Sequence, residues 1–279
     1  MADSAYAQLQ GVGRAFAVLE ALAGEPMRPA ELARDLGMKW TTAYRTLTFL
    51  THSGYVERDE VEGRYTLGVR AYALGSAYLN SEPLHEVSRP YLDATAGATG
   101  ATAQLIKRDD RKSVVLSVFE GRRDHVPHTS VGRNFPLHAG SKGHVLLAHA
   151  DPAFVDDYLS GPLQRLTRLT IVDPDELRAR FARIREVGYG MTDRDVRLYS
   201  SSVAAPIFDR TGAAVAAVTL IVRPDELRRD HRQLVEVVAR TANGITRGLR
   251  RATAGHATSH ALLHTRLTER YAVRDGVTA

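Results

Sequence analysis

Within Met38–Gly68, MKWTTAYRTLTFLTHSGYVERDEVEGRYTLG, hydroxyl, aromatic and guanidinium side chains fall at helical spacing. Thr41, Thr42, Tyr44 and Arg45 occupy the opening turns of a segment that stops at Gly54. Side chains on the N-terminal half of such a helix are the ones a DNA major groove can meet. Threonine hydroxyls bond phosphates or base edges, and threonine methyls touch the thymine methyl. Arg45 suits a bidentate contact to guanine or a grip on phosphate, and Lys39, in the preceding turn, suits phosphate. Trp40, the sole tryptophan, has two readings: stacking on the sugar-phosphate backbone, or plugging a gap between helices. Arg64 and Tyr65, in the alternating run that follows, are placed to reach the backbone or the minor groove. The carboxylates Glu57, Asp59, Glu60 and Glu62 would repel DNA, so they are expected to point away and leave Arg64 on the phosphate side.

These side chains need a scaffold, and the flanking pattern supplies one. Val12, Ala15, Phe16, Leu19, Leu22 and Ala23 follow helical spacing up to Gly24. Pro29 opens a second short helix with Leu32, Ala33 and Leu36 inward, and Gly37 closes it. In the third helix Ala43, Leu47 and Leu50 share one side, while Thr42, Arg45, Phe49 and His52 share the other. YVERDE and GRYTLG read as short strands with a turn near Glu62–Gly63. Three helices and a hairpin predict a winged helix-turn-helix, with the helix-turn-helix proper spanning Pro29–His52. Gly68–Leu84 reads as a connector helix whose Tyr72, Leu74, Ala77, Tyr78 and Leu79 suit packing against a second subunit. Beyond residue 83 strands and amphipathic helices mix, which predicts an α+β domain with a largely antiparallel sheet. The expected division is 8–68 for the DNA-binding part, 69–83 for the linker helix, 84–250 for the second domain and 251–279 for a tail.

Bulk composition narrows the classes further. The chain has 279 residues and a hydrophobic fraction of 44%, enough for real cores. It has no cysteine, which excludes disulfides, thiolate metal sites and cysteine nucleophiles. Neither a secretory leader nor a run of ~18 apolar residues is visible, so a cytoplasmic protein without membrane contact is expected. The net charge is +5, but residues 1–82 hold eight Lys/Arg against ten Asp/Glu. Any grip on DNA must therefore come from placed groups rather than a basic domain. His125, His128 and His138 do not follow the spacing of a helical zinc site, and no G-x-S-x-G elbow occurs. No catalytic residue, metal or cofactor is expected.

In order and spacing, GRAFAVLEAL, PAELARDLGM, TTAYRTLTFLTHSGYVERD, GRYTLG, LHAGSKGHVLLA, REVGYG and SSVAAPIFDRTGAAVAAVTL resemble IclR-type bacterial transcriptional regulators over roughly residues 10–250. The resemblance implies a winged helix-turn-helix, a linker helix and a GAF-like effector-binding domain. It also implies a homodimer or dimer of dimers on palindromic double-stranded operator DNA. The family often carries a proline and a basic residue where this chain has Lys39 and Trp40, a lysine at His144 and a cysteine at Ser202. Small residues lead into a helix at Leu137–Gly143, so free backbone N–H groups there suit a carboxylate. Ser141 adds a hydroxyl, and Lys142 adds a charge if it turns inward. The resemblance places His138, Gly140, Ser141, Lys142, Thr192, Asp193, Ser202 and Thr219 around one cavity for a small organic acid, aromatic ones included. His138 reads equally well as a structural histidine, and serines before a strand serve as turn residues too. A ligand-sensing scaffold that has lost DNA binding, and more distantly a hydrolase, are the rival functions.

Overall fold

The computed structural model describes residues 10–121 and 130–272. The chain divides into two compact units, Met1–Ser81 and Glu82–Ala279.

The first unit contains α1 (Gln10–Leu22), α2 (Pro29–Asp35), α3 (Trp40–His52), β1 (Val56–Arg58), β2 (Tyr65–Leu67) and α4 (Val69–Ser81). Its core gathers Val18 and Leu22 of α1, Leu32 of α2, and Leu47 and Leu50 of α3, with Val56 and Tyr65 of the hairpin. Pro29 opens α2, and the Arg28 backbone N–H donates to Glu31 Oε2 at 2.8 Å. Gly37, at φ +59°, reverses the chain between α2 and α3, a conformation that costs a residue without Cβ little. The strands pair antiparallel from Val56↔Leu67 to Arg58↔Tyr65. Asp59 shapes the turn: its Oδ1 accepts from the Val61 and Glu62 N–H groups at 2.8 and 2.9 Å.

The second unit begins with α5 (Pro83–Thr99), β3 (Thr102–Asp109), β4 (Lys112–Phe119), β5 (Asn134–Pro136) and α6 (Gly140–Ala148). It continues with α7 (Pro152–Ser160), α8 (Pro174–Val187), β6 (Gly190–Arg197), β7 (Ser200–Phe208), β8 (Ala214–Val222) and α9 (Pro224–Ala272). The six-stranded sheet has the order β5-β4-β3-β8-β7-β6, and every neighbouring pair is antiparallel. α5 and α9 cover one face, where Leu92, Val238 and Ile245 meet Leu105, Val203 and Val218. α6, α7 and α8 cover the other, where Leu147, Leu159 and Phe181 meet Ile106, Ala204 and Ala217. Alternation along each strand supplies both faces, so both must be buried.

Two strands escape the sequence reading. β5 is three residues long, and β6 is an edge strand with mostly polar residues. The last helix also runs past Arg250 to Ala272, through a stretch that contains no proline. Among the described residues no helix is long and apolar enough to cross a membrane.

Candidate functional site

α3 presents two adjacent exposed stripes. Trp40 and Tyr44, one turn apart, stack with ring centroids 5.1 Å apart and planes 12° from parallel. Trp40 is 52% exposed, so it does not plug a gap between helices. Thr41 and Arg45 form the neighbouring stripe, Lys39 is exposed ahead of the helix, and Thr42 is half-buried. No carboxylate lies on α3. The wing differs from expectation. Tyr65 is buried at 4% exposure, because Met27 pairs with it as a backbone bridge and draws the ring into the core. It is a core residue rather than a groove contact. Arg64 is held inside the unit: its Nη1 donates to Pro26 O at 2.8 Å and to Glu31 Oε2 at 3.2 Å. Glu57 and Asp59 are used locally, Glu57 accepting from the Val69 N–H at 3.3 Å.

In the second unit the start of α6 meets β6, β7 and β8. The Ser141 hydroxyl donates to Ser202 Oγ at 2.8 Å and lies 3.3 Å from Thr219 Oγ1. Thr192 Oγ1 is 3.1 Å from Ser202 Oγ and accepts from the Ser141 backbone N–H at 3.1 Å. The fold thus brings Ser141, Thr192, Ser202 and Thr219 together from four separate elements. The helix N-terminus is not open as the sequence reading has it: the Gly140 N–H donates to Asp195 Oδ2 at 2.7 Å. An internal carboxylate already occupies the place foreseen for the ligand's.

Asp193 does not enter this cluster. It is partly exposed, accepts from Ser201 Oγ at 2.5 Å and pairs with Arg194 at 3.0 Å. The cause is local. Arg194 has φ +58°, and the β6–β7 register slips between Asp193 and Arg197. Strict alternation would put Asp193 and Asp195 on one face; the slip turns Thr192 and Asp195 inward together and Asp193 outward. Asp195 is the residue that sequence reasoning missed, and no spacing signal distinguishes it from Asp193.

Lys142 turns inward. Its Nζ stands 3.6 Å from the Phe135 ring centroid, an attraction of cation to ring face. Burial pushes its ammonium down to about 7, with Asp195 opposing that shift. No carboxylate among the described residues lies within ion-pair distance of it. A cleft of about 670 Å³ is lined by Arg111, Lys112, Arg133 and Arg197, and among the described residues no Asp or Glu lines it. Phe135, Val196 and Arg197 are shared with a small inner cavity of about 30 Å³ that Lys142, Asp195, Ser202 and Thr219 line.

Two histidines lie here, and His138 also lines the cleft. The Tyr158 hydroxyl is 2.8 Å from His138 Nδ1, and Gln164 O is 2.9 Å from Nε2, so both ring nitrogens are engaged. Burial lowers the His138 imidazole and favours the neutral ring. His144 Nε2 lies 2.7 Å from His138 O, and burial pushes that imidazole down to about 4. Among the described residues no group of His, Cys, Asp or Glu could hold a metal, and His125 and His128 lie outside them.

Comparison with known proteins places this geometry. Residues 11–60 match the model of the IclR helix-turn-helix domain, and residues 76–247 match that of the bacterial transcriptional regulator IclR C-terminal domain. The glycerol operon regulatory protein of Streptomyces coelicolor is 30% identical over 247 residues, covering 86% of this chain and 96% of the relative. An IclR transcriptional regulator from Alicyclobacillus acidocaldarius superposes with TM-score 0.76 at 25% identity, covering 86% of this chain and 98% of that one. An IclR homologue from Microbacterium hydrocarbonoxydans, solved with 4-hydroxybenzoate, superposes with TM-score 0.73 at 25% identity, over 86% and 99% of the two chains.

Proposed function

Because the chain belongs to the IclR family of bacterial transcriptional regulators, with a DNA-binding helix-turn-helix and an effector domain, we propose the finer reading that it is a cytoplasmic regulator of a catabolic operon. In this reading it grips palindromic operator DNA as a homodimer or dimer of dimers. A small organic acid changes that grip. The working division is 8–68, 69–83, 84–250 and 251–279.

The observation that carries the effector half is Lys142, buried without a carboxylate partner beside a cleft walled by arginines. A carboxylate there would meet a desolvated cation and an aromatic wall, Phe135. The 4-hydroxybenzoate bound by the Microbacterium relative supports an aromatic acid in the same size class. On the DNA side, Lys39, Thr41, Tyr44 and Arg45 offer one exposed surface with no negative charge on α3. The stacked Trp40–Tyr44 pair offers a flat platform for the sugar-phosphate backbone. Exposed Tyr72, Leu74 and Tyr78 of α4 support contact with a second copy, while the groove of about 930 Å³ beside Val12 and Phe16 is also lined by Thr41, Thr42 and Arg45 and stays with the DNA side.

Arg45→Ala tests the docking. It should weaken operator binding at least ~10-fold and flatten the dependence of log affinity on log salt by about 2 for a dimer, one phosphate per half-site. Fluorescence anisotropy across a salt series reads both. Unchanged affinity and slope would remove Arg45 from the groove, whereas no operator binding by the wild type would favour the rival reading of a scaffold that no longer binds DNA. Thermal-shift titration with small carboxylic acids, run beside Lys142→Met, tests the effector half.

A further inference from the structure

The pocket face of the sheet carries one polar side chain that no role so far described uses. Gln104 of β3 is 0% exposed, and neither its Oε1 nor its Nε2 has a hydrogen-bond partner. A buried amide left wholly unpaired costs the free energy of the hydrogen bonds it gave up with water, and native proteins rarely tolerate one without a use for it.

Its position in the sheet suggests the use. Gln104 pairs directly with Thr219 of β8. Cross-strand partners share a face, and their Cβ atoms lie about 5 Å apart. Thr219 pairs with Ala204 of β7, which packs under α6, α7 and α8; Ser202, two residues before Ala204, is on that same face. Thr192 of β6 pairs with Ser202. Thr192, Ser202, Thr219 and Gln104 therefore form one polar row crossing four strands beneath the start of α6. Thr192 and Ser202 bond to each other, and Thr192, Ser202 and Thr219 each bond to Ser141. The fourth bonds to nothing.

We infer that Gln104 is a specificity-determining residue of the effector site, and that the effector is a hydroxy acid: its carboxylate goes to Lys142 and its hydroxyl to the Gln104 amide. This rests on the proposed reading of the site as an organic-acid pocket. The chemistry follows from the unpaired atoms. An amide sets an NH2 donor group and a carbonyl acceptor side by side, and a hydroxyl is a small group that both accepts from one Nε2–H and donates to Oε1. A site built to bond a hydroxyl rejects the analogue that lacks it, because the amide is then left unpaired.

The test uses two matched pairs on the full-length protein: 4-hydroxybenzoate against benzoate, and lactate against propanoate. Calorimetric titration compares wild type with Gln104→Leu, Gln104→Met and Lys142→Met. In at least one pair the hydroxy acid should bind wild type about 10-fold or more tightly than its partner. Both Gln104 variants should bring that ratio close to one while still binding the plain acid. Lys142→Met should weaken both members of the pair alike. The unliganded Gln104 variants should melt no lower than wild type, since the apolar side chain removes an unpaired amide. If Gln104→Met folds but the ratio persists, or if wild type binds both members of each pair equally, the inference falls while the organic-acid reading stands. If no acid of the four binds wild type, both fall.

Discussion

Lys142 concentrates the site's chemistry in one residue. An ammonium in water holds its proton to about 10.5, whereas here burial brings it down to about 7. Between those two values the unfolded chain binds the proton and the folded chain does not. Stability therefore rises with pH across that window on this account, and Lys142→Met should remove the rise. Ligand binding works in the opposite sense. A carboxylate favours the charged lysine, so association above pH 7 must take up a proton. Affinity for the acid should then fall as pH rises from 7 to 9, approaching tenfold per unit. Calorimetry in two buffers of different ionisation heat would measure the proton uptake directly. An affinity flat over this range would mean that Lys142 does not meet the ligand's charge. Ser202, at the position where the family often carries cysteine, fits the same logic: its Oγ both accepts from Ser141 and lies beside Thr192, a two-sided bond that a thiol makes poorly.

At the scale of elements, the site depends on how closely α6 seats against the chain that precedes it. A Cβ added at Gly143 would lie 2.2 Å from Leu137 O and 2.8 Å from its carbonyl carbon. Backbone offers no flexible end that can swing aside, so the helix itself would have to move. Gly143→Ala should cost about 2 kcal/mol or more, lowering the melting temperature of the second unit by about 5 °C in calorimetry. It should also weaken acid binding, because Ser141 and Lys142 ride on the same turn. Gly97→Ala on α5, with nothing within 4 Å of the added carbon, is the control and should be neutral or slightly stabilising. Equal melting of the two variants would show that α6 does not need its close approach. α3 shows the opposite arrangement: Ala43, Leu47 and Leu50 anchor it, and its remaining faces are left to the solvent side.

For the whole molecule, regulation requires a coupling free energy between the effector pocket and the DNA surface, and such coupling is reciprocal. If a saturating acid changes operator affinity by some factor, saturating operator must change acid affinity by the same factor. Anisotropy on one side and calorimetry on the other give both numbers, and unequal factors would mean that the measured acid acts outside this linkage. Much of the molecule was legible beforehand because its signals are local. The periodicity of Leu47 and Leu50, the glycine stops at 37 and 54, and the alternation in the β7–β8 hairpin each depend on neighbours a few residues away. Those patterns determined the winged helix-turn-helix, the α+β second part and the exposed face of α3. The burial of Tyr65 was decided instead by a bridge to Met27, 38 positions earlier in the chain. Arg64 was taken up by Pro26 and Glu31 in the same way. In the pocket, the choice of Asp195 over Asp193 came from a single left-handed residue in β6. The β3–β8 register set Gln104 beside Thr219, more than a hundred residues away. Helix periods and turn residues are properties of short segments and can be read from a sequence. Which polar atoms end up buried, paired or orphaned depends on contacts between distant segments, and only the folded chain brings those together.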